Sequence, residues 1–318
     1  MFHVALVPFA ERRNIVMKKV YGCVFLTGFL FATMEVSLKV AGTGMDSFQL
    51  TFLRFFIGGL IILPFAIAEM KKNKVRIGLK DIGFLTIVGI TGIPLSMLFF
   101  QLGIMECNAS TASVLICINP LFTMVFAHFI LGEKMNRGKL VVLALGLIGI
   151  VFMIRPWDLQ EGNSVIGIIY MLLAAIFFGL YTCIGKISTA KVGTFAQTSF
   201  SFILGSLVLL IVILFMGRPV TAGIAENWVE VMYISVFVTG LGYISYFTAI
   251  KLSDAVTGSI AFFIKPAIAP VIAVIVLHDA ILWNTVTGIA FILGASYLNI
   301  HLQRKAFKAK EQISDESN

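Results

Sequence analysis

Five ionisable side chains, Glu35, Lys39, Arg54, Lys186 and Lys265, fall inside long apolar stretches of the sequence. A charge at the centre of a bilayer costs on the order of 2.5 to 3.5 kcal/mol on insertion scales, so each needs a function, a partner or a route to the interface. Lys265 is too deep for its stem to reach the interface. It is followed by Pro266 and Pro270, which remove amide donors and interrupt the helical hydrogen-bond ladder. Asn119 stands at the same depth of an earlier stretch and is followed by Pro120. Two apolar segments interrupted at corresponding points, each with a polar residue at the break, are the pattern of a solute site near the membrane midplane. There Lys265 would attract an anionic group such as a carboxylate, and Asn119 would hydrogen-bond opposite it. The competing reading is that the prolines only kink packed helices and that Lys265 meets an internal carbonyl.

Glu35 lies five residues before the end of one stretch and Arg54 six residues after the start of the next, which puts them at a common depth at about 1.5 Å per residue. A lone buried charge costs about 3 to 5 kcal/mol, so the two are expected to form an ion pair, serving either as a gate or proton-coupling site or as structural glue. Lys39 and Lys186 are expected in the last turns of their helices, where a cation complements the carbonyl end of the dipole and its stem can reach the interface. A gating or coupling role is the alternative for both. Tyr181, Gln101, Tyr243 and Tyr246 are the polar and aromatic side chains that could line a solute cavity. His128, near a helix end, is expected to be a hydrogen-bonded interfacial residue rather than a proton relay.

Other chemistries find no support. Gly179 to Lys186 has P-loop composition with the wrong spacing and no preceding strand, so ATP hydrolysis is not indicated. The cysteines Cys23, Cys107, Cys117 and Cys183 have no metal-binding spacing and read as small packing residues. No metal or other cofactor is expected, and no catalytic residues. Gly240 and Gly242, and likewise Gly58, Gly59, Gly146 and Gly149, read as sites of close helix contact. Asn108-Ala109-Ser110 fits a glycosylation pattern by chance, in a loop too tight against the membrane.

The elements that must position these residues follow from composition. Of 318 residues, 59% are hydrophobic and only 13% charged, far from the roughly 45 to 50% and 25% of soluble domains. The net charge of +8 lies in short clusters between apolar runs, a pattern that meets lipid headgroups and not nucleic acid. A helix needs about 20 apolar residues to cross the hydrocarbon. Ten such segments are predicted: Val20 to Val40, Phe48 to Glu69, Asp81 to Ile104, Ala109 to Leu131, Gly138 to Arg155, Ser164 to Lys186, Phe195 to Met216, Val229 to Ile250, Ala255 to Leu277 and Asn284 to His301. The loops are too short for a soluble catalytic domain. Lys and Arg counted on alternate sides give eighteen against two, Arg155 and Arg218. Both termini are therefore predicted on the cytoplasmic side of the plasma (inner) membrane. Met17 makes a natural start, leaving residues 1–16 as an upstream extension.

The chain also repeats. A shift of 147 residues lays Phe48, Phe55, Gly58 and Leu60 on Phe195, Phe202, Gly205 and Leu207, and Lys39 on Lys186. A shift of 146 lays Phe100, Ala109, Ser113 and Pro120 on Tyr246, Ala255, Ser259 and Pro266. The expected fold is an all-α integral membrane protein of ten helices in two five-helix repeats. Five being odd, the second repeat enters the membrane in the opposite sense. The predicted organisation is a cytoplasmic segment 1–19, a first repeat 20–155, a second repeat 164–301 and a basic then acidic tail 302–318.

The end of the first helix with Lys39, Leu53-Arg54-Phe55, the run from Asn108 to Ser113, Asn119-Pro120-Leu121-Phe122 and Leu131-Gly132-Glu133-Lys134 resemble the drug/metabolite transporter superfamily, and more narrowly its ten-helix EamA-type exporters. The departures lie in the second half, where Ser201 replaces the arginine and His278-Asp279 stands for Gly-Glu. The resemblance implies export or exchange of small metabolites, such as amino acids, carboxylates, amines or drug-like solutes, by alternating access without ATP. Its partners would be the solute, the bilayer and a coupling proton or counter-substrate, with the chain a monomer or homodimer. The rival functions are an integral-membrane enzyme acting on a lipid-borne substrate and a passive channel.

Overall fold

A backbone amide in hydrocarbon finds its acceptor only within its own helix, and the apolar stretches fold accordingly. The computed structural model describes residues 9–133, 137–154, 162–253, 261, 265–278, 283–284, 286–291, 293–295, 297–298 and 301–302, and these contain no strand. Seven helices among them are long and apolar enough to cross a membrane: α1 (Met17–Gly42), α2 (Ser47–Asn73), α3 (Leu79–Glu106), α4 (Ala109–Leu131), α6 (Val165–Val192), α7 (Thr194–Phe215) and α8 (Trp228–Leu252). Three more are apolar and shorter as described: α5 (Arg137–Ile154), α9 (Lys265–Leu277) and α10 (Val286–Ala295). This is a multi-pass membrane protein with the ten-helix, two-repeat fold. The start of the predicted ninth span, from Ala255, and the tail from residue 303 lie outside the described residues.

The helix ends carry the repeat in their backbone. Gly132 closes α4 in the left-handed conformation at φ 68°, and 146 residues on His278 closes α9 at φ 57°. Glycine adopts that region freely, whereas a residue with Cβ loses about 1 kcal/mol there. The backbone of the turn is therefore kept although the glycine is gone. The sixth helix runs to Val192, six residues beyond the predicted end, so Lys186 is not in its last turn; Lys191 is. The extension mixes Ile187 and Val192 with small and polar residues, and Ser188, Thr189 and Val192 are buried, so packing as well as hydropathy sustains it.

Several helices are interrupted. The first turns at Thr33, between Phe9–Ala32 and Met34–Gly42. α4 breaks at Cys117 and Ile118, whose amides bond to the carbonyls of Val114 and Leu115, three residues back. α3 contains a π-helical segment, Ile93–Met97, at Pro94, and α8 a longer one, Ile234–Leu241, which overlaps the equivalent position of the other repeat. Such wide turns are frequent where a helix serves a site rather than only a core.

α2 packs along α7 over most of its length. A Cβ on Gly59 would stand 2.9 Å from Ile203, so these two helices touch closely at a glycine the sequence marks for such contact; α3 meets α7 in the same way, a Cβ on Gly89 standing 2.8 Å from the Gly205 nitrogen. Polar clasps tie the two ends of this pair. At one end Asp46 caps α2, accepting from the amides of Phe48 and Gln49 at 2.9 and 3.3 Å. Arg218, just past α7, reaches the same carboxylate at 2.7 Å and lies 4.1 Å over the Phe48 ring. At the other end the residue equivalent to Asp46 is Gly193, which has no side chain to offer. Glu69, from the end of α2, caps α7 instead, accepting from the amides of Thr194, Phe195 and Ala196 at 3.2, 2.8 and 3.4 Å. Lys251 stands 3.5 Å from that carboxylate, and Lys191 pairs with Asp81 nearby. A lost cap costs about 1 to 2 kcal/mol, and an exposed ion pair less than about 1. Thermal unfolding in detergent should therefore show Glu69→Ala clearly destabilised and Lys251→Ala nearly unchanged.

Candidate functional site

The turn at Thr33 sets the orientation of Glu35. Thr33 Oγ1 bonds to the Leu30 carbonyl and to the Tyr233 hydroxyl, both at 2.8 Å, and Glu35 follows within the first turn of the resumed helix, fully buried. Its carboxylate pairs with Lys265, the first residue of the described part of α9, and neither side chain has any exposed surface. The pair joins the first repeat to the second. The Lys265 ammonium also lies 5.6 Å from the centre of the Phe100 ring, on α3, within the range where a ring face stabilises a cation.

The expected Glu35–Arg54 ion pair is not formed. Arg54 donates to Met34 Sδ at 3.6 Å and lies 4.6 Å over Phe55, while its Nε and Nη2 find no partner. It is close enough to Glu35 for their charges to interact. Counting residues along two helices fixes depth but says nothing about rotation around each axis, and that rotation gives Glu35 to Lys265. In this conformation the Lys265 ammonium is therefore matched by a carboxylate of the chain itself.

Asn119 is the first residue of the second part of α4, as Lys265 is of the described part of α9. Its Nδ2 donates to the Ile116 carbonyl at 2.8 Å, an acceptor freed by the break, and its Oδ1 is buried without a partner. Gln101 reaches the Leu38 carbonyl at 3.5 Å and leaves Oε1 unpartnered. Tyr243 donates to Met97 Sδ at 3.1 Å. Its ring centre lies 5.0 Å from that of Phe31, 5.7 Å from Phe55, 6.5 Å from Tyr181 and 5.1 Å from Phe202. Tyr246 bonds to Thr182, the residue equivalent to Glu35, at 2.8 Å. Lys265, Asn119, Gln101, Tyr181, Tyr243 and Tyr246 are each at most 1% exposed, so no water-filled space touches them and the conformation is closed around them.

Lys39, in the last turn of α1, donates to the carbonyl of Cys107 at 2.6 Å, past the end of α3. It therefore serves the carbonyl end of a neighbouring helix. Burial pushes the Cys107 thiol up to about 11, which keeps it protonated as befits a packing residue. Lys186 is half-buried on α6 and joins none of these groups. His128 bonds to the Glu133 carbonyl at 2.7 Å.

Sequence reasoning missed the second repeat's answer to Arg54. Ser201, its equivalent, accepts from Gln197 Nε2 at 3.3 Å, and Gln197 Oε1 accepts from Thr189 and Thr198 at 3.3 and 3.4 Å. The same 147-residue shift that found Ser201 leads to this neutral network. Glu69 was missed as well, although the shift that sets Gly193 against Asp46 exposes the vacant cap.

If Glu35 and Lys265 form an obligate buried pair, losing one partner should cost about 3 to 5 kcal/mol while removing both together should be close to neutral. Thermal unfolding of Lys265→Met, Glu35→Met and the double variant should show the double variant as the most stable of the three.

The sequence profile of the EamA-like transporter family matches residues 18–155 and again 165–300. An uncharacterized transporter of Clostridium kluyveri is 38% identical over 308 residues, covering 95% of this chain and 99% of that protein. An S-adenosylmethionine uptake transporter of Rickettsia prowazekii is 26% identical over 297 residues, covering 91% and 95%. A solved structure at 17% identity superposes with a TM-score of 0.68 over 91% of this chain and 99% of its own, a likeness of fold.

Proposed function

The chain belongs to the EamA-like transporter family, and from that premise we propose that it moves small zwitterionic metabolites, amino acids or solutes carrying an amino-acid group, across the cell membrane by alternating access without ATP. The observation that carries the reading is the Glu35–Lys265 ion pair together with a set of buried polar atoms without partners on α1 to α4. Arg54 Nε and Nη2 are unused donors, and Glu35 Oε2, Gln101 Oε1 and Asn119 Oδ1 are unused acceptors. Each unsatisfied buried group costs about 1 to 3 kcal/mol, a state tolerated where a ligand completes it. A carboxylate would answer Arg54 and Lys265; an ammonium on the same solute would answer Glu35 and the two amide oxygens.

A purely anionic solute would compete with Glu35 for Lys265, and a purely cationic one would approach two buried cations. A zwitterion exchanges one set of opposite charges for another, which keeps the net charge of the site unchanged. S-adenosylmethionine, named for the Rickettsia relative, carries both groups on one carbon, with its additional sulfonium charge on the side chain away from them.

Alternating access requires that each end can close. The Asp46–Arg218 clasp and the Glu69 cap with its Lys251 and Lys191–Asp81 neighbours lie at opposite ends of the α2–α7 pair, one suited to each face. With the lysine-rich end cytoplasmic, as the charge asymmetry indicates, Glu69 guards the inner mouth and Asp46 the outer. Glu35 is the group able to carry a coupling proton, since it has a free oxygen and would release Lys265 on protonation.

Counterflow in proteoliposomes tests the reading. Labelled neutral amino acids and S-adenosylmethionine should exchange saturably and be competed by zwitterions, but only weakly by the corresponding simple acids or amines. Loss of one charge-assisted contact worth about 1.5 to 3 kcal/mol lowers affinity roughly tenfold or more, so Arg54→Gln should do so. Simple acids or amines exchanging as well as zwitterions, or Arg54→Gln leaving affinity unchanged, would remove this substrate class. Glu35→Gln, assayed with and without a pH gradient, should exchange but fail to accumulate solute; retained proton-driven accumulation would exclude it as the carrier.

A further inference from the structure

Away from this site, the end of α2 and the loop to α3 form a slot of about 490 Å³ against α7. Its apolar side is made by Ile67, Met70 and Phe200, and its polar side by Lys71, Lys74 and Arg76. The loop holds these cations in fixed places. Lys74 takes the left-handed conformation at φ 53°, its amide bonding to the Lys71 carbonyl at 3.3 Å, and the Val75 amide returns to the Met70 carbonyl at 3.0 Å, a closed helix ending.

The dipole of α2 accounts for a cation in its last turn but not for Arg76, which lies beyond the cap. The adjacent acids are engaged elsewhere: Glu69 faces the start of α7, and Asp81 binds Lys191 and the Gly78 amide. Among the described residues no carboxylate pairs with Lys71, Lys74 or Arg76. The apolar side continues onto the outer surface of α2, where Ile67 is 43% and Phe65 57% exposed. In a membrane-spanning helix that surface meets acyl chains.

From this placement we propose that the slot binds an anionic phospholipid, its phosphodiester held by Lys71, Lys74 and Arg76 and the start of an acyl chain laid along Ile67 and Phe200. A basic pocket at a helix end, open to the bilayer at headgroup depth, has the chemistry for that class of ligand. The contiguous apolar side is what favours an amphiphile over a free anion.

Native mass spectrometry of the purified protein with phosphatidylglycerol or phosphatidylcholine, at equal concentration, is the test. The wild type should retain phosphatidylglycerol in preference, and Lys71→Gln/Lys74→Gln/Arg76→Gln should lose about tenfold or more of that preference. A control that removes another basic pair, Lys18→Gln/Lys19→Gln, should keep it. The proposal fails if the triple variant keeps the preference or if the control loses as much. Equal retention of phosphatidylcholine, or full displacement of phosphatidylglycerol by millimolar inorganic phosphate, would also overturn it, the latter marking a free-anion site. Should the triple variant not fold, Arg76→Gln alone, in the exposed loop, should lower the preference measurably, and an unchanged preference would sink the idea.

Discussion

A carboxylate and an ammonium, both wholly withdrawn from water, hold the centre of this molecule. Neither Glu35 nor Lys265 could stay charged there alone, so the position of α1 is tied to that of α9, and through them one repeat to the other. The turn at Thr33 and the seat of the ammonium over Phe100 bring the two groups together. Both side chains are fully buried, so water is excluded from the space the pair occupies. If the solute binds here as proposed, it must replace what these groups give each other, and that requirement would make the arrangement selective.

The two repeats share a backbone and differ in charge. π-helical turns occur at overlapping places in α3 and α8, and the left-handed ending of α4 recurs after α9 with histidine in place of glycine. The charges do not follow this symmetry. Glu35 faces Thr182 across the repeat, Arg54 faces Ser201 and Lys265 faces Asn119. A symmetric scaffold suits the two alternative packings that the proposed alternating access needs, and the asymmetric set of charges suits a single place for its solute.

Much of this was legible in the sequence because the bilayer restricts the choices. Continuous apolar runs of the right length can only be helices, and Lys265 and Asn119 stand out as polar residues next to proline. Burial of all ten candidate positions except the half-buried Lys39 and Lys186 follows from the same reasoning. What remained hidden was rotational and long-range. Depth along a helix does not tell which neighbour Glu35 faces, hydropathy does not mark the last six residues of α6, and the partner that caps α7 lies more than a hundred residues away. The π-helical turns had one hint, Pro94; the one in α8 contains no proline to announce it.

The capping of α7 by a residue from the other repeat bears on how the chain is assembled. The second repeat begins its second helix with Gly193 and brings no acceptor of its own for the amides that follow. Until α2 is in place to lend Glu69, that helix start has three unanswered donors at the edge of the hydrocarbon. A stand-alone second half would enter the bilayer with a frayed end. The order of synthesis, with α2 made long before α7, ensures that the acceptor is waiting when the helix that needs it emerges.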